Sequence, residues 1–157
     1  MAKGWRIVLD GRAHDAFSGQ GAKLYGGRWN SPGHAVVYGS EHKSLAALEQ
    51  LVHLNPRFEN TRFKAFLFQF PDSLLHKIPL ADLPANWRQQ PPSLPTQQAG
   101  DTWVRQRRSA VLAVPSIIIP EELNYLLNPE HPDFRKITIA QPQHFAYTSS
   151  SSILTMR

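Results

Sequence analysis

The 157-residue chain contains no cysteine, which excludes a disulfide framework and a thiolate nucleophile and fits a reducing compartment. Long apolar runs are also missing. No stretch approaches the ~18 residues of a membrane span, and the opening segment, MAKGWRIVLDGRAHDAF, has no apolar core of the signal-peptide kind. A soluble cytoplasmic protein with no membrane contact is therefore the expectation. The histidines (His14, His34, His42, His53, His76, His131 and His144) show no H-E-x-x-H or comparable metal-ligand spacing, so no metal site is expected. The run from Gly19 to Lys23 satisfies neither the G-x-x-x-x-G-K-S/T nor the G-x-G-x-x-G phosphate loop, and no strand directly precedes it. Acidic residues are the scarcer sign: 12 Asp and Glu against 17 Lys and Arg leave +5 at pH 7 with neutral histidines. That balance favours an anionic partner, whether nucleic acid, a dinucleotide pyrophosphate or an acidic protein, without choosing among them.

What is present is an ordinary globular composition, 41% hydrophobic and 18% charged, with 13 prolines that predict many stiff loops. A chain of this length is one domain that buries roughly two thirds of its unfolded surface. The domain is expected over residues 1–147, followed by a serine-rich tail over 148–157.

The chain is organised around Gly26 to His53. Gly26-Gly27 permits positive φ just before Arg28, and Ser31-Pro32-Gly33-His34 suits a tight turn. Arg28 is thus held on a short bent segment beside Trp29 and Asn30. Ala35 to Tyr38 reads as a strand, with Ser40 as helix N-cap and Glu41 in the first helical turn. In the helix, Leu45, Leu48 and Val52 make a core stripe and Glu49 flanks it, so this carboxylate is partly buried. Glu49 either pairs with a cation such as Arg28 as a structural tie, or faces a cleft and stabilises developing positive charge. Spacing alone does not separate the two.

Elsewhere, Trp5 to Leu9 reads as a strand and Asp10 to Gly21 as loop with a turn of helix. Asn55-Pro56 ends the central helix. Phe63 to Phe70 reads as a central strand covered on both faces, and Ser73 to Leu80 as a short strand or extended segment. Asp82 to Pro95 is a proline-rich connection carrying Trp87, which covers the core or lines the cleft. Thr96 to Ser109 is a helix with Trp103 inward. Its closing cations Arg105, Arg107 and Arg108 form a solvated face or a phosphate or partner contact. Ala110 to Val114 is a buried strand, Glu121 to Asn128 a short helix and Phe134 to Ile139 a final strand. Ser116 either contacts a ligand or caps the segment after it. The whole reads as α+β with a twisted mixed sheet.

The segments GGRWNSPG, VVY and SLAALE, with AVLAVPSIIIPEELNYLLNP further on, resemble the RES domain, a family of bacterial toxins named for an Arg, a Glu and a Ser. The matching positions are Arg28, Glu49 and Ser116, and the likeness spans Arg6 to Phe145. The resemblance implies a split sheet in the manner of ADP-ribosyltransferases, degradation of cellular NAD with growth arrest, NAD as substrate with no cofactor, and an Xre-like helix-turn-helix antitoxin that blocks the active site. DNA contact is then expected only through the antitoxin complex. In ADP-ribosyltransferases of the Arg-Ser-Glu type the glutamate lies on a late strand after the serine, whereas Glu49 precedes Ser116, so their geometry does not transfer.

The chemistry suits these residues. Cleaving the nicotinamide–ribose bond builds oxocarbenium character that a carboxylate such as Glu49 stabilises, and the leaving group is already cationic, so no acid is required. Arg28 supplies the planar fork for a pyrophosphate. Trp29 and Tyr38 offer stacking faces, and Ser116 and Asn30 offer hydrogen bonds to ribose or carboxamide. The acceptor, whether water, phosphate or a protein side chain, is not specified. A transferase acting on a protein and a non-enzymatic nucleic-acid-binding domain are the competing readings; the latter needs a basic stripe with interleaved aromatics.

Overall fold

The computed structural model describes residues 1–53 and 60–148. The expected helix stop at Asn55-Pro56 and most of the expected tail lie outside them. Eight strands, β1 (Ala2–Leu9), β2 (Val37–Ser40), β3 (Phe63–Phe70), β4 (Leu75–Lys77), β5 (Val111–Pro115), β6 (Leu123–Leu127), β7 (Thr138–Ile139) and β8 (Gln143–Phe145), join in one mixed sheet. Its order is β4-β5-β6-β2-β1-β3-β7, with β8 also on β3. Among the described strands only β4 and β5 pair in parallel. The helices are α1 (Gln20–Tyr25), α2 (Lys43–Leu51) and α3 (Leu94–Gln106).

The sheet is pinched at one point. β1 pairs with β3 along all eight residues, but with β2 it shares a single registered pair, Trp5 with Ser40. The two halves are thus hydrogen-bonded at one end of the seam and free to diverge along the rest. A strand edge left open this way has carbonyls to satisfy. At Tyr38 the Arg6 guanidinium does so, its Nη1 donating to the Tyr38 carbonyl at 2.7 Å.

Residues of β5 alternate between two cores, which is why its run is apolar throughout. Val111 and Ala113 pack with Phe68, Phe70, Tyr125 and Leu127. Leu112 and Val114 face α3 through Trp103 and Val104. The α2 helix closes a third cluster, laying Ala46 against Ile7, Phe63 and Ala65. Close approach fixes α3 as well: a Cβ on Gly100 would stand 1.7 Å from the Trp29 carbonyl oxygen, so only glycine lets the helix lie on the Arg28 turn.

Several expectations are corrected. The segment expected as a helix over Glu121 to Asn128 contains strand β6, because β2 and β5 both offer it a ladder, and paired strands override local helix preference. Phe134 to Ile139 is mostly a 3-10 turn over Pro132–Lys136, capped by the His131 side chain, and only Thr138–Ile139 is strand. Helix α3 begins at Leu94, since Ser93 caps it and Pro95 is tolerated in the first turn. Helix α2 begins after His42, not at Ser40. The Ser40 hydroxyl donates to Asn124 Oδ1 at 2.7 Å, and Glu41 accepts from the Leu123 backbone N–H. Val52 lies past the last helical residue and is exposed instead of packed.

Candidate active site

The cleft lies at the pinch. It has a volume of about 530 Å³, within the range of pockets that bury a cofactor-sized ligand. Its walls are the Gly26 to Trp29 turn, residues of β1 and β2, one side of α2 and the strand-end residues Pro115 and Asn124.

Glu49 projects into the cleft from α2. Its Oε1 accepts from Ser116 Oγ at 2.6 Å and from Asn124 Nδ2 at 2.9 Å. Oε2 has no hydrogen-bond partner among the described residues, and since no buried side-chain oxygen is left unsatisfied, Oε2 is open to solvent. One oxygen is therefore fixed and the other presented. The support is itself held: Asn124 accepts from Ser40, and Ser116 Oγ accepts from the backbone N–H groups of Ile118 and Ile119. With both its lone pairs and its proton assigned, Ser116 orients the carboxylate. It is fully buried and does not line the cleft, so the expected ligand-contacting role gives way to a positioning one.

Arg28 lines the same cleft. Gly26 takes φ 75° immediately before it, the left-handed turn that the paired glycines were expected to allow. Nη1 of Arg28 donates to the carbonyls of Trp87 at 3.1 Å and Gln89 at 2.8 Å. Nε and Nη2 have no partner among the described residues. Partial burial lowers the guanidinium pKa and the charge of Glu49 opposes that shift. The two side chains make no ion pair within 4.0 Å, so the alternative in which Glu49 is merely tied to Arg28 is corrected; its ties are neutral.

The remaining expected residues divide. The Tyr38 ring lines the cleft, with its hydroxyl donating to Asn30 Oδ1 at 2.5 Å and accepting from the Trp29 N–H, and its pKa pushed well up by burial. Asn30 is fully buried; its amide donates to the carbonyls of Ala22, Ser31 and His34, so it builds the turn and is not free for substrate. Trp29 is 2% exposed and its ring stacks on Trp87 at 6.5 Å, which leaves no face for a nicotinamide. Its expected stacking role is corrected accordingly. Arg105, Arg107 and Arg108 are exposed at the end of α3 and do not line the cleft.

Three contributors were not visible as such in the sequence. Asn124 became legible only once its segment proved to be a strand beside Ser40. Asp101, on α3, accepts from the backbone N–H and hydroxyl of Ser31 and so locks the Arg28 turn onto the helix. Arg6 read simply as a strand residue. Among the described residues no group of His, Asp or Glu side chains is arranged to hold a metal ion, and no helix is long and apolar enough to cross a membrane.

A mixed, curled sheet pinched over a cleft is the ADP-ribosyltransferase-like α+β fold. The solved toxin–antitoxin complex MbcT–MbcA of M. tuberculosis superposes with a TM-score of 0.74 over 92% of this chain and 84% of that one, at 16% identity. Residues 3–149 match the RES domain, and the chain belongs to that family. Relatives include a "Prs ADP-ribosylating toxin" of Sphingobium sp., 38% identical over 148 residues and covering 91% of this chain and 92% of its own length. "Toxin Res" of Yersinia enterocolitica is also 38% identical, over 144 residues, covering 91% and 95%.

Proposed function

We propose that this chain is the toxin of a toxin–antitoxin pair and that it arrests growth by breaking the nicotinamide–ribose bond of NAD. One observation carries the reading: a carboxylate with one oxygen fixed and one presented lines the same cleft as a guanidinium whose Nε and Nη2 have no partner among the described residues. In the reaction the C1′–N bond breaks and its electron pair passes to the pyridinium nitrogen, so nicotinamide leaves neutral. The positive charge left on the ribose is stabilised by Glu49 at short range, in a site that needs no reorganisation because Ser116 and Asn124 already hold the carboxylate. An acceptor oxygen then bonds to C1′ and releases its proton to solvent. Arg28 holds the phosphates. NAD is substrate, with no cofactor in the scheme.

With water as acceptor the product is free ADP-ribose; with phosphate it is ADP-ribose 1″-phosphate. A second reading, transfer to a protein side chain, uses the same cleft and is favoured by the name of the Sphingobium relative, an ADP-ribosylating toxin. NAD labelled in its adenylate half separates the three. Label in small molecules supports NAD degradation, label on a protein supports transfer, and label left in intact NAD defeats both. A partner that occludes the cleft is expected of an activity harmful to its own cell. An Xre-like helix-turn-helix antitoxin is the partner proposed, and the MbcT–MbcA complex is a solved toxin–antitoxin pair of this fold.

A further inference from the structure

Arg6 is a partly buried cation with no ion-pair partner among the described residues. It sits on β1 at the seam where β1 and β2 part, and lines both the main cleft and a second cavity of about 100 Å³ behind it. Nε donates to the Ala16 carbonyl at 2.6 Å and Nη1 to the Tyr38 carbonyl at 2.7 Å. Nη2 has no partner among the described residues and is not sealed from solvent. Among the described residues no carboxylate lies within 4.0 Å; Asp15 acts on the guanidinium only from beyond that, on the side of the smaller cavity. Burial draws the pKa down to about 10, so the group is still charged at neutral pH, at a cost in folding free energy.

A charged side chain withdrawn even partly from water usually has a pairing charge. If holding two carbonyls were the only task, a neutral donor would do it without the desolvation. Arg28 repeats the pattern in the same cleft: Nη1 of the guanidinium is anchored on backbone carbonyls, and Nε and Nη2 have no partner among the described residues. Two preorganised forks in one cleft, with no ion-pair partner among the described residues, call for a ligand that carries more than one negative charge.

We propose that Arg6 is a second anion-binding residue of the cleft and that, with Arg28, it selects ligands bearing a pyrophosphate. This rests on the reading of the cleft as a dinucleotide site and adds to it the residue that distinguishes a diphosphate from an uncharged nucleoside.

The test is calorimetric titration of ADP-ribose and of adenosine into the intact protein, Arg6→Gln and Arg6→Lys. Arg6→Gln is expected to weaken ADP-ribose at least about tenfold and adenosine less than about threefold, since removing a charge-assisted contact acts on the phosphates alone. Arg6→Lys, which keeps the charge but not the fork, should lose less. Equal losses for the two ligands would show a purely structural Arg6, and an unchanged ADP-ribose affinity, or none in the unaltered protein, would likewise overturn the proposal. If Arg6→Gln does not hold its native circular-dichroism spectrum, Arg6→Lys carries the same comparison: a loss confined to ADP-ribose supports the proposal and an equal loss overturns it. Because the readout is binding, selective loss of ADP-ribose in a protein that releases no nicotinamide would uphold the subsite while removing the reaction.

Discussion

Replacing Asn124 by aspartate changes one atom in the site and reverses its electrostatics. The native amide donates to Glu49 Oε1 at 2.9 Å and is itself oriented by the Ser40 hydroxyl. In Asn124→Asp that donor becomes a second carboxylate oxygen. Two unit charges about 4 Å apart repel by about 4 kcal/mol at an effective dielectric constant of ~20, equivalent to about three pKa units. The cleft is open to water, so screening reduces the expected shift to about one to two units. Nicotinamide release measured across pH should therefore show its acidic limb displaced to higher pH by that amount, because the pair takes up a proton more readily than a lone carboxylate. Asn124→Ala should lower the rate about tenfold or more with little displacement, since it loosens the carboxylate without adding charge. An Asn124→Asp profile that superimposes on the native one would refute the idea that Asn124 acts through an ionised Glu49.

Further outcomes follow from the packing. Gly100→Ala forces a Cβ against the Trp29 carbonyl at 1.7 Å, and chemical denaturation should show a loss at or above the ~1–3 kcal/mol typical of overpacking. Ser93→Ala removes the hydroxyl that accepts from the Thr96 N–H at the start of α3 and should cost about 1 kcal/mol in the same assay. Burial raises the Tyr147 pKa from 10.0 to about 12, and its hydroxyl donates to the Ala47 carbonyl. The folded-state value lies above the unfolded one, so the phenol's contribution is complete below about pH 10 and is lost as pH rises toward about 12. The stability difference between the native protein and Tyr147→Phe should be flat up to the first value and fall between the two.

The elements that periodicity defines were legible. Phe66, Phe68 and Phe70 recur at every second position because that face of β3 is buried, and the strand pairs along both edges. Ala110 to Val114 reads as buried because each of its side chains enters one of two cores. The glycine pair before Arg28 was legible for a different reason, a backbone requirement that few residues meet. What failed were segments whose local preference is overruled by distant partners. Leu123 to Leu127 is a strand because β2 and β5 leave a gap of its width, and a gap is not written in the segment that fills it. The same limit applies to the site. Arg28, Glu49 and Ser116 could be named, but whether Ser116 touches ligand or carboxylate depends on a 2.6 Å contact between residues 67 positions apart. Arg6 could not be singled out at all, because its lack of an ion-pair partner among the described residues is a property of three dimensions.

The most direct test of the central claim is nicotinamide release from NAD by purified protein, compared with Glu49→Ala. Release by the native protein and a loss of at least about a hundredfold in the variant are expected, the scale on which removal of a group that stabilises transition-state charge is felt. Equal rates in the two would contradict the claim.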